Sequence, residues 1–141
     1  MQKTAQQLQI PADEASLMPQ TKLTDRNDKN GLLVIVFRQD QIGTGDQTVG
    51  RKLLIPYLEA LLQLPLPPYS ILFYNTGVRL LTEEGDTTGL LSKLETKGCE
   101  LLACNLSLKQ LGLSSQMKVG EISTLEIMLD RQLKADKILW P

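Results

Sequence analysis

The sequence predicts an α/β fold: a three-layer α/β/α domain around a mostly parallel sheet of about five strands. Three observations predict it. Continuous apolar runs recur along the chain, which is how strands buried on both faces of a sheet read. Segments with apolar residues at spacings of three and four, the amphipathic helix pattern, stand between them. The alternation holds from Gly31 onward, as in βαβ units joined by right-handed crossovers.

Residues 1–30 are rich in Gln, Asp, Lys and Thr, contain Pro11 and Pro19, and keep no strand or helix period. They read as a flexible polar leader, and residues 31–141 as the domain. Leu32 to Phe37 is the first strand and is expected at the centre of the sheet. A polar loop from Arg38 to Asp46 follows, with Gly43 and Gly45 in it. Val49, Leu53, Leu54, Tyr57, Leu58, Leu61 and Leu62 then share one helical face, and Pro56 is expected to kink that helix or divide it. Leu64 to Pro68 is a stiff proline-rich connector. Ser70 to Tyr74 is the second strand, and Asn75 to Gly77 the turn after it. Val78, Leu80 and Leu81 predict a short helix, and Leu90, Leu91 and Leu94 another that stops at Gly98. Cys99 to Cys104 is the third strand, followed by a short helix from Ser107 to Leu111 ending at Gly112. Val119 to Ile122 reads as a fourth strand, Ser123 as the cap of a last helix, and Lys137 to Trp140 as a fifth strand. In such sheets ligands lie beyond the carboxyl ends of the strands. The loops 38–46, 75–77 and 104–107 would line that crevice, with Arg38, Asn75 and Cys104 at one edge.

Composition narrows the chemistry. A chain of 141 residues is long enough to bury about two thirds of its unfolded surface without staples. Two cysteines are too few for a disulfide framework and suit a reducing compartment, so a cytoplasmic protein is expected. No secretory h-region and no membrane-length apolar stretch is present, so no membrane partner is expected. With 15 basic and 16 acidic side chains the net charge is −1, and the cations form no stripe for phosphates. No nucleic-acid partner is expected. The sequence holds no histidine. That excludes a Ser-His-Asp triad, a Cys-His pair, a His-bearing zinc site and a His general base.

Two motifs invite a functional reading. Gly43 to Gly50 follows a strand and precedes a helix, as a phosphate loop would. The spacing fails, because Arg51-Lys52 stands where a P-loop needs Lys then Ser or Thr, and the G-x-G-x-x-G pattern is also broken. A tight turn with Asp46 capping the helix is the alternative. The second motif is the cysteine pair. Five positions apart on one strand, Cys99 and Cys104 face opposite sides about 16 Å apart, too far for a disulfide. Cys99 shares its face with Leu101 and Ala103 and reads as a small buried hydrophobe. Cys104 ends its strand just before a helix, where N-terminal amides favour a thiolate and a loop gives access; structural and reactive readings are both open.

Gly98-Cys99-Glu100-Leu101-Leu102-Ala103-Cys104-Asn105-Leu106-Ser107, with Leu111-Gly112-Leu113 after it, resembles the signature segment of the DsrE-like family of sulfur-relay proteins. There a cysteine ending a strand is followed eight residues later by glycine and Leu or Val. The closer likeness is to the DsrE-like domain of YedF-type sulfurtransferase-like proteins of selenium metabolism. Asp40, Gly43, Gly45, Asp46 and Gly50 resemble its first loop, Asn75-Thr76-Gly77-Val78 its second, and Val119 to Ser123 its late strand. Two features depart from it: Ser107 stands where a second cysteine is often found, and the leader holds no Cys-Pro-x-Pro segment of a TusA-like domain.

The resemblance implies a homo-oligomer whose Cys104 takes sulfur or selenium from a donor, holds it as a persulfide, and yields it to an acceptor thiol protein. It implies no metal and no organic cofactor. Asn105, Leu106 and Ser107 would bind near the sulfur, and Asp40 and Asn75 would line the crevice opposite. The rival readings are a non-catalytic binding or assembly subunit with the same fold, and a nucleotide-binding domain.

Overall fold

The structure is a computed structural model that describes residues 31–141. The polar leader predicted for residues 1–30 lies outside the described residues.

Five strands form one parallel sheet: β1 (Leu33–Phe37), β2 (Ser70–Phe73), β3 (Glu100–Cys104), β4 (Glu121–Ser123) and β5 (Lys137–Leu139), in the order β4-β3-β2-β1-β5. β2 rather than β1 occupies the middle. β1 is interior all the same, because β5 adds to its outer side with Leu33 opposite Lys137. The apolar runs of β1, β2 and β3 are buried on both faces, as unbroken runs predict.

Strand alternation divides the core. Val34, Val36, Leu72, Leu102 and Cys104 cluster with Met128 on one face. On the other face Phe37 stacks on Phe73 at a centroid distance of 5.6 Å and meets Tyr57 edge-on at 6.1 Å. These pairs lie in the stacked and T-shaped ranges aromatic rings prefer.

The first helical stretch is divided, but not at its proline. α1 (Gln47–Lys52) ends at Leu53, and α2 (Leu54–Leu62) starts immediately after. Pro56 sits in the first turn of α2, where a missing N–H breaks nothing. A continuous helix would drive its ring into the carbonyl of Lys52, four residues back, so the break falls upstream of it. Asp46 caps α1 as predicted, accepting the Val49 N–H at 3.0 Å.

After β2 the chain makes a 3-10 helix (Asn75–Leu81) and then α3 (Asp86–Thr96). β3 runs directly into α4 (Asn105–Leu111), which stops at Gly112 in the left-handed conformation that glycine adopts without strain. The cap of α5 (Leu125–Lys134) is Thr124 rather than Ser123. Ser123 ends β4 and is buried, whereas the Thr124 hydroxyl accepts the Ile127 N–H at 3.3 Å. Among the described residues no helix is long and apolar enough to cross a membrane.

Candidate functional site

β2 and β3 are adjacent and in register, so Phe73 lies opposite Ala103 and the residues that follow, Tyr74 and Cys104, leave the sheet at the same edge. Cys104 then serves as the N-cap of α4. Its Sγ accepts the backbone N–H of Ser107 at 3.4 Å, a contact that draws negative charge on the sulfur toward a fixed donor. Asn75 adopts a left-handed backbone, with φ of 51°. Its N–H donates to the Ser107 Oγ at 2.8 Å, tying the loop after β2 to the helix after β3.

These residues line an open groove of about 450 Å³: Tyr74, Asn75, Cys104, Leu106, Ser107, Gln110, Leu111 and Leu125. None of its side chains is ionic. Cys104 is 3% exposed and forms the floor, with half-exposed Leu106 and Leu125 at the rim. The Tyr74 hydroxyl donates to Gln132 Oε1 on α5 at 3.1 Å, which sets the ring beside the sulfur. Burial, and then the negative charge Cys104 can carry, push the Tyr74 phenol above its ordinary value.

The groove thus brings together Cys104, Asn75, Leu106 and Ser107 from among the residues singled out in the sequence. Asn105 opens α4 but does not line the groove. Asp40 lies elsewhere. Its carboxylate meets the Arg51 guanidinium at 2.6 Å and that of Arg79 at 3.8 Å, in a separate depression of about 190 Å³. Tyr74, Gln110, Leu111 and Leu125 were not singled out. Tyr74 carried a usable signal, since the sequence already places it at the carboxyl end of the second strand, which the structure ends one residue earlier at Phe73. Leu125 comes from α5 and had none.

Cys99 has a different environment. It is 2% exposed, and burial, followed by the charges of Glu100 and Glu95, pushes its thiol up to about 12. A thiol held that high stays protonated near neutral pH.

Four amides of the glycine loop and the helix turn after it already have acceptors within the chain. Ile42 N–H donates to Gly50 O, Gly43 N–H to Pro141 O, Val49 N–H to the Asp46 carboxylate and Gly50 N–H to Asp46 O. A phosphate cradle needs several of those groups pointing at the ligand. Arg38, at the same edge, lies 5.0 Å over the Trp140 ring.

Comparisons with known proteins bear on the fold and the family. No curated protein sequence matches the chain. Among solved structures, the YchN protein of E. coli is 21% identical, with a TM-score of 0.56 over 79% of this chain and 99% of its own. MTH1491 of Methanobacterium thermoautotrophicum, a protein of unknown function, is 18% identical, with a TM-score of 0.59 over 79% of this chain and 100% of its own. At such identities the likeness is one of fold. The sequence itself matches the DsrE/DsrF-like family over residues 56–141, more than half of its length, including β2, β3 and the whole lining of the groove. The chain belongs to the DsrE/DsrF-like family.

Proposed function

We propose that the protein carries sulfur as a persulfide on Cys104 and passes it between thiol-bearing partner proteins in the cytoplasm. One observation carries the reading. Of the two thiols, Cys104 floors an open groove and accepts a backbone N–H, whereas Cys99 is sealed in the core with its proton held up to about 12. In the loading step the Cys104 thiolate attacks the outer sulfur of a donor persulfide. A new Sγ–S bond forms, the donor's S–S bond breaks, and the donor leaves as a thiolate with the electron pair. Delivery repeats the step with the acceptor thiolate as nucleophile, so no net oxidation occurs and neither a metal nor an organic cofactor is required. The YedF-type likeness extends the same chemistry to selenium. A homo-oligomer is the assembly we expect.

The test is chemical. Native iodoacetamide labelling should modify Cys104 well before Cys99. Incubation with inorganic polysulfide should add sulfur to the wild type and to Cys99→Ser but not to Cys104→Ser, read by intact mass. If both thiols resist alkylation until the protein is denatured, the site is structural.

A second reading, a binding or assembly subunit that has kept the fold without turnover, draws on the 3% exposure of Cys104 and on the serine at position 107. It predicts no sulfur uptake. The nucleotide-binding reading finds the amides of Ile42, Gly43, Val49 and Gly50 already paired, and predicts a thermal shift with nucleotides that we do not expect.

A further inference from the structure

We propose that the Ser107 hydroxyl binds the outer sulfur of the persulfide on Cys104; this rests on the carrier reading above and assigns the residue that stabilises the loaded state. Ser107 is fixed at both of its polar ends. Its N–H donates to Cys104 Sγ at 3.4 Å, and its Oγ accepts the Asn75 N–H at 2.8 Å. A serine hydroxyl that accepts one bond still has its own proton to give. Among the described residues no acceptor takes that proton, and Ser107 lines the groove together with Cys104.

Of the other lining residues Leu106, Leu111 and Leu125 are apolar, the Tyr74 proton is committed to Gln132, and the carboxamides of Asn75 and Gln110 are the remaining neutral donors. Ser107 differs from those two in that its own backbone N–H is already bonded to the Cys104 sulfur. Among the described residues no Lys or Arg lines the groove, so none of them offers a cation to an outer sulfur that carries negative charge. A neutral donor held in place by the backbone is what the site supplies. Hydrogen bonds to ionised groups are about twice as strong as neutral ones. The bond forms only when the second sulfur is present, so it favours the persulfide over the free thiol. The hydroxyl itself neither gains nor loses a bond to sulfur, and the exchange remains the balanced step described above.

The experiment measures how the transferable sulfur partitions between Cys104 and glutathione at equilibrium, for the wild type, Ser107→Ala and Ser107→Thr. Loss of a hydrogen bond to an ionised sulfur should move the partition of Ser107→Ala toward glutathione by about tenfold or more. Ser107→Thr keeps the hydroxyl and should restore the wild-type value. Ser107→Ala also removes the acceptor of the Asn75 N–H, so its rate of alkylation at unloaded Cys104 measures any general loosening of the groove, and the shift in partition must exceed the change in that rate. A Ser107→Ala partition equal to wild type overturns the assignment while leaving the carrier reading intact. A wild type that takes up no sulfur overturns the carrier reading and this inference with it. Should Ser107→Ala not fold, the wild type alone decides. Loading should make the Ser107 hydroxyl proton observable by NMR through slowed exchange with water, and a proton that stays in fast exchange after loading refutes the bond.

Discussion

At Gly77 the loop after β2 passes against the end of β1 so closely that a Cβ would overlap the Phe37 carbonyl oxygen, with the Gln39 amide also within contact. Both neighbours are backbone and neither can swing away. Gly77→Ala should therefore cost about 2–3 kcal/mol in urea unfolding. Because Asn75 lies two residues upstream and holds Ser107, the same variant should also alter the rate of Cys104 alkylation. Asn75 makes a second residue-scale case. Its left-handed backbone suits asparagine, and Asn75→Val should be destabilising by about 1–2 kcal/mol, read by the same unfolding curve. The position of Cys104 was legible in the sequence because a strand's end before a helix is a local property. The partnership of Ser107 with Asn75 was not, since the two lie 32 positions apart and only the β2–β3 register brings them together.

Between elements, an ion pair joins buried Met128 and the Tyr74–Gln132 bond in fastening α5 to the sheet. Arg131 Nε donates to Glu100 Oε1 at 2.7 Å and its terminal nitrogen to Oε2 at 3.0 Å, while the Ser70 hydroxyl adds a bond of 2.9 Å. Hydrogen bonding to Arg131 is the largest of the effects that hold the Glu100 carboxyl below its ordinary value. A carboxylate with a depressed native pKa stabilises the fold above its unfolded value, about 4.3, and that contribution is lost as pH falls through the lower native value. Wild type should lose its advantage over Glu100→Gln in that acid window. At neutral pH the variant should be weaker by about 1 kcal/mol in denaturant melts, a modest figure because the pair is partly solvated. Nothing in the periodicity announced this pair. β1, β2 and β3, by contrast, were plain as apolar runs, because burial on both faces leaves a mark in every residue of a strand. The sequence puts the helix break at Pro56, three residues beyond Leu53, and the last cap at Ser123, one residue before Thr124. Both depend on where carbonyls and hydroxyls meet in space, which apolar spacing does not record.

Over the whole molecule, the face around α5 is the least covered by the described residues. Leu125, Leu129 and Leu133 recur every fourth residue along one side of the helix, with Leu133 76% exposed, and Ile122 on β4 is also open. If the expected homo-oligomer forms, light scattering at micromolar concentration should give a multiple of the 15.7 kDa chain mass, and Leu129→Asp should reduce it toward one chain. A wild-type mass of one chain at that concentration contradicts the expectation.

The bond from Leu32 N–H to the Asp136 carboxylate, at 2.7 Å, joins residues 104 positions apart, and β5 continues from it along the outer side of β1. During biosynthesis the first strand therefore emerges long before its second neighbour exists. Until then one edge of β1 has backbone donors and acceptors without strand partners, while β2 has already become available on the other side. Closing a loop of that length is entropically slow, and folds dominated by such distant pairings assemble late. Sheet completion should thus follow release of residues 137–139 from the ribosome. A nascent chain stalled before them should show a protease-sensitive β1 edge in a domain whose β2–β3 pairing is already protected.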